Sequence, residues 1–326
     1  MPQTSIPYAV GRISVLQRDM LDKSRLERLL SAATFKEAQR TLSEIGWANV
    51  EGNDYEQASL QYVEKACKLI RAVTPAPAVT DCFLLRYDIH NLKTLIKART
   101  LSENAIALSD CGTLPVALLV HAVSEHNYKK LPPVLTQAMD ALEKRMAVQP
   151  DPMMVDVLLD HAMYRMIFQV IEKEKVPSVL KYFKAKVDLV NAVILLRAKS
   201  MGRDVAFLKE VLITGGHVTF EKWLDASQNL EKLPKLLQSY GKNIVASAQA
   251  SIMDAKKLPA LEKAMDDHLL SMFTPYQTAT LSLEPIIGYL LAAEREAAAV
   301  RLILAGKANG FPQEAIRERM RDLYGR

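Results

Sequence analysis

The chain has 326 residues and a formal net charge of +5, from 42 Lys or Arg against 37 Asp or Glu. A chain of this length is typical of two or three domains, and it can bury a core that needs no disulfide or structural metal. Its basic residues are spread along the sequence instead of forming a tail, which argues against a nucleic-acid partner.

Cysteine usage and hydropathy both predict a cytoplasmic protein that does not enter a membrane. The cysteines, Cys67, Cys82 and Cys111, follow neither a disulfide framework nor a zinc-site spacing, so we expect reduced core thiols. The most apolar stretch, residues 284–306, is interrupted by charged residues. Since a spanning helix requires about 20 apolar residues, we expect no direct membrane insertion. The N-terminus also lacks the pattern of a secretory signal.

Helical periodicity runs through most of the chain. Prolines separate segments of helical length, and apolar residues recur within them every three or four positions, as at Val155, Leu158, Leu159 and Ala162. Alternating, strand-like runs are scarce, so the predicted fold class is all-α. In chain order, the pattern predicts an N-terminal helix through Leu21, a helical hairpin at 29–47, helices at 87–99 and 187–199, a second hairpin at 223–241, and a helix at 295–307.

Three of these helices share a polar signature. When the segments 87–99, 187–199 and 295–307 are aligned, an acidic residue falls at the same position in each, and a basic residue ends each. The first two also share an asparagine, which is replaced by Ala299 in the third. The signature consists of Asp88, Asn91, Arg99, Asp188, Asn191, Lys199, Glu296, Arg301 and Lys307.

A polar pattern that occurs three times in one chain is more typical of architecture than of catalysis. We expect buried or half-buried contacts that fix helix packing. Each acid is expected near one end of its helix and each base near the C-terminus, where the helix dipole favours these charges. The repeat predicts three similar lobes: residues 1–104, which include the N-terminal helix, residues 105–217, and residues 218–326.

Candidate catalytic and metal-binding groups are few. The clusters at 156–161 and 266–268 each combine a histidine with two aspartates, but a solvated helix face explains both better than a metal site does. His121 and His126 lie five residues apart and do not share a helical face. The stretch TGGH at 214–217 lacks the lysine and spacing of a phosphate loop, and we interpret it as a helix stop. We therefore predict no catalytic residue, no metal and no cofactor.

Four stretches in chain order resemble the C subunit of V/A-type ATPases, the counterpart of the d subunit of eukaryotic vacuolar ATPases. The similarity extends over nearly the whole chain, although Ala299 and Ala305 replace an asparagine and a base of the first two copies. The stretches are YAVGRISVLQRDML at 8–21, LRYDIHNLKTLIKAR at 85–99, VDLVNAVILLRAKSMGRDVAFLKEVLITGG at 187–216, and YLLAAEREAAAVRLILAGKANGFPQEAIRERMRDLY at 289–324.

This resemblance implies an all-helical, funnel-shaped collar of three lobes about a pseudo-threefold axis. It also implies a non-catalytic rotor subunit of the central stalk, peripheral to the cytoplasmic face of the membrane. One face would receive the shaft of subunits D and F, and the other would sit on the membrane rotor ring of c/K subunits. Such a subunit couples ATP hydrolysis or synthesis to proton or sodium transport.

Two other classes of function remain open at this point. The first is a generic three-unit helical scaffold with an unrelated partner, which would stack its units along a line. The second is a helical hydrolase that uses one of the acidic clusters, which would require a pocket holding several groups with strongly shifted pKa values. The rotor hypothesis alone accounts for all three copies and for the closing stretch.

Overall fold

A computed structural model describes residues 4–47, 54–101, 108–148 and 151–324. Every regular element in these residues is helical and none is a strand, which confirms the all-α prediction. The α-helices are α1 (Ile6–Gln17), α2 (Lys23–Ser31), α3 (Phe35–Glu44), α4 (Tyr55–Val73), α5 (Pro77–Leu101), α6 (Val116–Ser124), α7 (Pro133–Val148), α8 (Pro152–Glu174), α9 (Pro177–Ser200), α10 (Val205–Val211), α11 (Phe220–Gln228), α12 (Leu233–Leu236), α13 (Lys242–Met253), α14 (Leu258–Ser271), α15 (Glu284–Ala308) and α16 (Gln313–Arg319).

Backbone contacts divide the chain into two compact units. The terminal unit combines residues 1–77 with residues 256–326, and the central unit consists of residues 78–255. The division into three lobes stays a prediction. Its first boundary, after residue 104, lies outside the described residues.

The core of the terminal unit forms around α15. This helix packs along α4 and also contacts α1 and α3. It is buried on most of its circumference, and small residues such as Ala293 and Ala297 let the neighbouring helices approach closely. Leu29 and Leu42 pack with Val300 in one apolar cluster. Burial of such side chains is the main source of stability in a unit that contains no disulfide.

The central unit is built on the long helices α5, α8 and α9. Phe83 on α5 packs against Tyr182 and Phe183 on α9, with ring centroids 5.2 Å and 4.9 Å away. Lys93 on α5 donates a 2.7 Å hydrogen bond to Asp160 on α8. Aromatic packing therefore holds α5 to α9, and an ion pair holds it to α8.

Prolines determine where the three signature helices begin. Pro77 and Pro177 are the first residues of α5 and α9, and Pro285 is the second residue of α15, positions at which proline lacks no hydrogen bond that the helix needs. Each proline lies eleven residues before the acid of its helix. The acids are therefore in mid-helix. The prediction that they lie near a helix end was wrong, because the helices extend well upstream of the aligned segments.

The N-terminal helix is shorter than predicted. It ends at Gln17 instead of continuing through Leu21. A turn follows, and it leads to Asp22, whose side chain accepts a 2.8 Å hydrogen bond from the Arg25 backbone N–H and caps α2. Aspartate at this position favours the start of a new helix over continuation of the old one.

Candidate functional site

The acids and asparagines of the signature helices are deeply buried. The side chains of Asp88, Asn91 and Asp188 are 0% exposed, and those of Asn191 and Glu296 are 1% exposed. Burying a carboxylate is costly unless hydrogen bonds replace its contacts with water. The hydrogen-bond partners of these side chains therefore show whether they stabilise the fold or are left to bind something else.

In the first copy, α5 binds the loop that precedes α6. Asp88 accepts hydrogen bonds from the backbone N–H groups of Thr113 (2.7 Å) and Leu114 (3.0 Å), and from the Thr113 hydroxyl (2.7 Å). The Asn91 amide donates to the Ser109 carbonyl (2.8 Å) and accepts from the Ser109 N–H (2.9 Å). Two side chains of one helix thus fix the backbone of residues 109–114.

In the second copy, α9 binds the loop that precedes α11 in the same way. Asp188 accepts from the backbone N–H groups of His217 (2.8 Å) and Val218 (3.2 Å), and from the Tyr240 hydroxyl (2.5 Å). The Asn191 amide exchanges two hydrogen bonds, of 2.8 Å and 2.9 Å, with the backbone of Ile213. Residues 213–218 are therefore the counterpart of residues 109–114.

A glycine allows each carboxylate to reach its loop. A Cβ atom on Gly112 would lie 2.1 Å from Asp88 Oδ1, and one on Gly216 would lie 2.0 Å from Asp188 Oδ1. Both distances are far below van der Waals contact, so a side chain at either position would displace the carboxylate. The TGGH stretch does follow the end of α10, as a helix stop would, but it also forms the backbone cradle of Asp188. Sequence reasoning missed this second role.

In the third copy, Glu296 faces the turn that precedes α2. The Leu21 backbone N–H, the Tyr62 hydroxyl and the Trp47 indole oppose the effect of burial on the pKa of this carboxyl. In all three copies, the backbone N–H involved lies two residues before the start of a short helix: Leu114 before α6, Val218 before α11 and Leu21 before α2.

Asp188 and Glu296 differ in how completely hydrogen bonds replace the contacts of their carboxyl groups with water. Burial raises the pKa of Asp188, and its hydrogen bonds from Tyr240, His217 and Val218 work against that rise. Burial, followed by the bond to Asp188, raises the pKa of Tyr240, which keeps this hydroxyl a donor. Burial raises the pKa of Glu296 to about 7, and its Oε1 has no hydrogen-bond partner among the described residues. Glu296 therefore changes charge near neutral pH.

Replacing Glu296 with glutamine should flatten part of the pH dependence of stability. The pKa of Glu296 is about 7 in the folded state and 4.5 ordinarily. Between these two pH values, the folded state therefore holds a proton that the unfolded state releases. The stability from this group is complete below about pH 4.5 and is lost as pH rises through 7. The difference in free energy of unfolding between Glu296→Gln and wild type should therefore shift by about 2.5 kcal/mol in favour of the variant between pH 5 and pH 8. Chemical denaturation at both values measures it.

Glu314, an exposed acid on α16, provides the matched control. Glu314→Gln should follow the wild-type pH curve. If the Glu296→Gln curve is also parallel to wild type, the buried carboxyl does not titrate as described.

The basic residues of the signature do not share one environment. Arg99 donates to the Val123 carbonyl (3.0 Å) and to Glu143 (2.8 Å), which fixes the end of α5 against α6 and α7. Lys199 is exposed, Lys307 is half-buried, and Arg301 lies 3.8 Å from Glu56. Arg99, Lys199 and Lys307 all lie in the last turn of their helices, as predicted, but only the acids share one kind of surrounding.

Lysine and arginine side chains of the protein form ion pairs with the acidic clusters. Asp156 accepts 2.9 Å hydrogen bonds from Lys97, and Asp267 accepts one of 2.9 Å from Arg295. Within the described ranges, no group of three or more His, Cys, Asp or Glu side chains could hold a metal ion. These clusters stabilise helix packing and offer no support for the hydrolase hypothesis.

Comparison with known proteins identifies the family. The model of the ATP synthase (C/AC39) subunit family matches residues 9–319. The chain belongs to this family. It is therefore a subunit of a V/A-type rotary ATPase, as the resemblance of its four stretches implied. Family membership also decides against a generic scaffold with an unrelated partner.

Relatives at low identity cover most of the chain. The C subunit of the V-type sodium ATPase of Enterococcus hirae is 25% identical over 279 residues, which are 83% of each chain. The C subunit of the A-type ATP synthase of a Desulfurococcus species is 24% identical and covers 97% of this chain and 90% of its own. That of Thermococcus kodakarensis is 23% identical with the same coverage.

None of the helices in the described residues is long and apolar enough to cross a membrane.

Proposed function

We propose that this chain is a non-catalytic rotor subunit of the central stalk. It connects the shaft of subunits D and F to the membrane rotor ring, on the cytoplasmic face, and couples ATP hydrolysis or synthesis to ion transport. Family membership over residues 9–319 supports a structural place in the ATPase. The buried acids support it further, because their partners are backbone and hydroxyl groups of the chain itself, as expected of side chains that stabilise the fold.

The order of the acid-to-loop contacts is the observation that carries this proposal. The helix of the first predicted lobe binds residues 109–114, near the start of the second, and the helix of the second binds residues 213–218, which reach the boundary with the third. The helix of the third, through Glu296, faces the turn before α2 in the first. Each of the three signature helices thus has such a partner, which supports three similar lobes in the proposed collar.

A closed collar suits the mechanical task. It can join a narrow helical shaft to a wider ring, and its dense packing limits the compliance that would allow slip. Three lobes cannot match a ring of many identical subunits contact by contact. We therefore expect a polar, electrostatic ring face and a shaft face of standard interface size, roughly 1,000 Å² or more.

Binding to the shaft tests the proposal directly. The purified chain, mixed with the purified D and F subunits of the same ATPase, should form a one-to-one-to-one complex in size-exclusion chromatography with light scattering. The peripheral-stalk subunits serve as the control partner and should elute separately from the chain. Association with the peripheral stalk and not with D and F would contradict a place in the rotor.

A further inference from the structure

Glu296 joins the last of the three signature helices to the turn that leads into α2. Its neighbours are the Leu21 backbone N–H in that turn, the Trp47 indole after α3 and the Tyr62 hydroxyl on α4. Trp47 stacks on Tyr62, with ring centroids 4.5 Å apart. We call Glu296 and these three neighbours the closing contact, because it ties α15, near the end of the chain, to the turn before α2.

The closing contact replaces water less completely than the contacts of the other two copies do. Both oxygens of Asp88 and both oxygens of Asp188 accept hydrogen bonds of 3.2 Å or shorter. In the third copy the Trp47 indole acts on the carboxyl, yet neither its N–H nor Glu296 Oε1 forms a hydrogen bond of good geometry within the described residues. A charge is therefore hardest to hold at Glu296.

The backbone of the turn at 18–22 is only weakly fixed. Arg25 Nη1 donates to the carbonyls of Asp19 (3.3 Å) and Met20 (3.4 Å), and both distances are long for an N–H···O bond. Four of the five residues of the turn line a cavity of about 540 Å³ in the terminal unit. The turn therefore has space on one side into which it can move.

The groups around Glu296 offer little compensation for a charge. Arg25 on α2 attracts the carboxylate, but its guanidinium also lies 4.0 Å from Asp22 and binds the two carbonyls of the turn. Burial raises the pKa of Tyr62 on α4 and of Tyr289 on α15, so both stay neutral. The other charged or titratable groups on the neighbouring elements are the paired Asp267 and Arg295 on α14 and α15, and Arg18, Asp22 and Tyr324 at the cavity.

Water reaches the Glu296 carboxyl only if part of the closing contact moves. The residue is 1% exposed, and its Oε1 is closed to solvent. The helices α4 and α15 pack along each other and form the centre of the terminal unit, so their displacement would disrupt its core. The turn at 18–22 is the part that can leave at low cost.

We propose that ionisation of Glu296 opens the closing contact: the turn at 18–22 moves away from α15 and lets water hydrate the carboxylate. With Glu296 protonated, the contact stays closed and the turn holds the start of α2 in place. The terminal unit thus contains a proton-controlled switch. It requires no ligand and no other subunit, so it does not depend on the proposed place in the rotor.

The direction of the switch follows from where the proton binds more tightly. Burial raises the pKa of Glu296 to about 7 in the closed contact, whereas in the open contact water surrounds the carboxyl and its pKa returns towards the ordinary 4.5. The preference for the closed contact is therefore complete below about pH 4.5 and is lost as pH rises through 7. Between pH 6 and pH 8, the population of the open turn should rise about tenfold.

Hydrogen exchange of the purified full-length chain, measured by mass spectrometry, tests the switch. After correction for intrinsic exchange rates, the protection of the amides at 18–22 should fall about tenfold between pH 6 and pH 8. At both values it should lie at least about tenfold below the protection of α4 amides near Ile70, because the turn opens without unfolding of the core. Equal protection of the turn and of α4 would show that only unfolding of the unit exposes the turn, and it would overturn the proposal.

Two variants test the named groups, and circular dichroism checks that each is folded. Glu296→Gln cannot ionise, so protection at 18–22 should change less than about twofold between pH 6 and pH 8, while Glu314→Gln on α16 should behave as wild type does. Tyr62→Phe keeps the aromatic ring but removes a donor to the carboxylate. The pH at which protection stops falling should therefore move up by about half a unit or more.

Three results would contradict the switch. They are a protection at 18–22 that does not change with pH in wild type, the same tenfold fall in Glu296→Gln, and an unshifted profile in Tyr62→Phe.

Discussion

Gly216→Ala is expected to destabilise the protein by about 4 kcal/mol. The new Cβ would lie 2.0 Å from Asp188 Oδ1, so the carboxylate must move away from its cradle. That movement breaks its bonds to His217, Val218 and Tyr240 and leaves a buried charge with fewer partners. Loss of hydrogen bonds to a charged group costs about 1.5–3 kcal/mol each, which exceeds the small entropic gain from replacing glycine.

Gly11 provides the matched control. It lies inside α1, and a Cβ there would meet no atom within 4 Å. Gly11→Ala should be neutral or stabilising, by up to about 1 kcal/mol, because alanine has the higher helix propensity. Chemical denaturation of both variants at one pH gives the comparison. If the free energy of unfolding of Gly216→Ala lies within about 1 kcal/mol of the wild-type value, the close contact between residue 216 and the Asp188 carboxylate is contradicted.

A double-mutant cycle assigns the effect to the carboxylate. In an Asp188→Ala background, the methyl group at position 216 meets no carboxylate oxygen, so Gly216→Ala should cost at least about 2 kcal/mol less than in the wild-type background. Equal costs in the two backgrounds would show that another contact is responsible. The same cycle with Gly112 and Asp88 should give a similar result, because its Cβ would lie 2.1 Å from Asp88 Oδ1.

The sequence was sufficient to find the helices and the three acids. Apolar periodicity predicts the all-α fold, and internal alignment selects Asp88, Asp188 and Glu296, which are all buried. The partners of these acids could not be found in the same way. Most are backbone N–H groups, which any residue except proline supplies, so Leu114, Val218 and Leu21 carry no signal of their role in their side chains.

Two sequence signals were present but were not used. Pro77, Pro177 and Pro285 lie at the same distance before each acid, and they would have placed the acids in mid-helix. Gly112 and Gly216 each lie three residues after the residue that pairs with an asparagine. The loops between acid and glycine differ in length, however, so an alignment of helices alone does not bring these two glycines into register.

Removal of this subunit from the ATPase is expected to abolish ion pumping and to leave ATP hydrolysis by the soluble head largely intact. The reason is mechanical. In the proposed assembly, catalysis takes place in other subunits, and this chain is the connection through which rotation of the shaft reaches the membrane ring. Without the connection, the shaft turns without load, and the energy of hydrolysis is not transferred to ions.

Reconstituted vesicles allow hydrolysis and ion uptake to be measured on the same sample. Adding the purified chain back to the depleted complex should restore pumping. Adding back Gly216→Ala should restore it less well at temperatures where that variant unfolds. These two additions separate a coupling role from a general failure of assembly.

The most direct test is therefore the ratio of ions transported to ATP hydrolysed in vesicles that contain the complex with and without this subunit. If the chain is the rotor connector, the ratio falls to background in its absence while hydrolysis continues. A ratio that stays at the level of the intact complex would contradict the account.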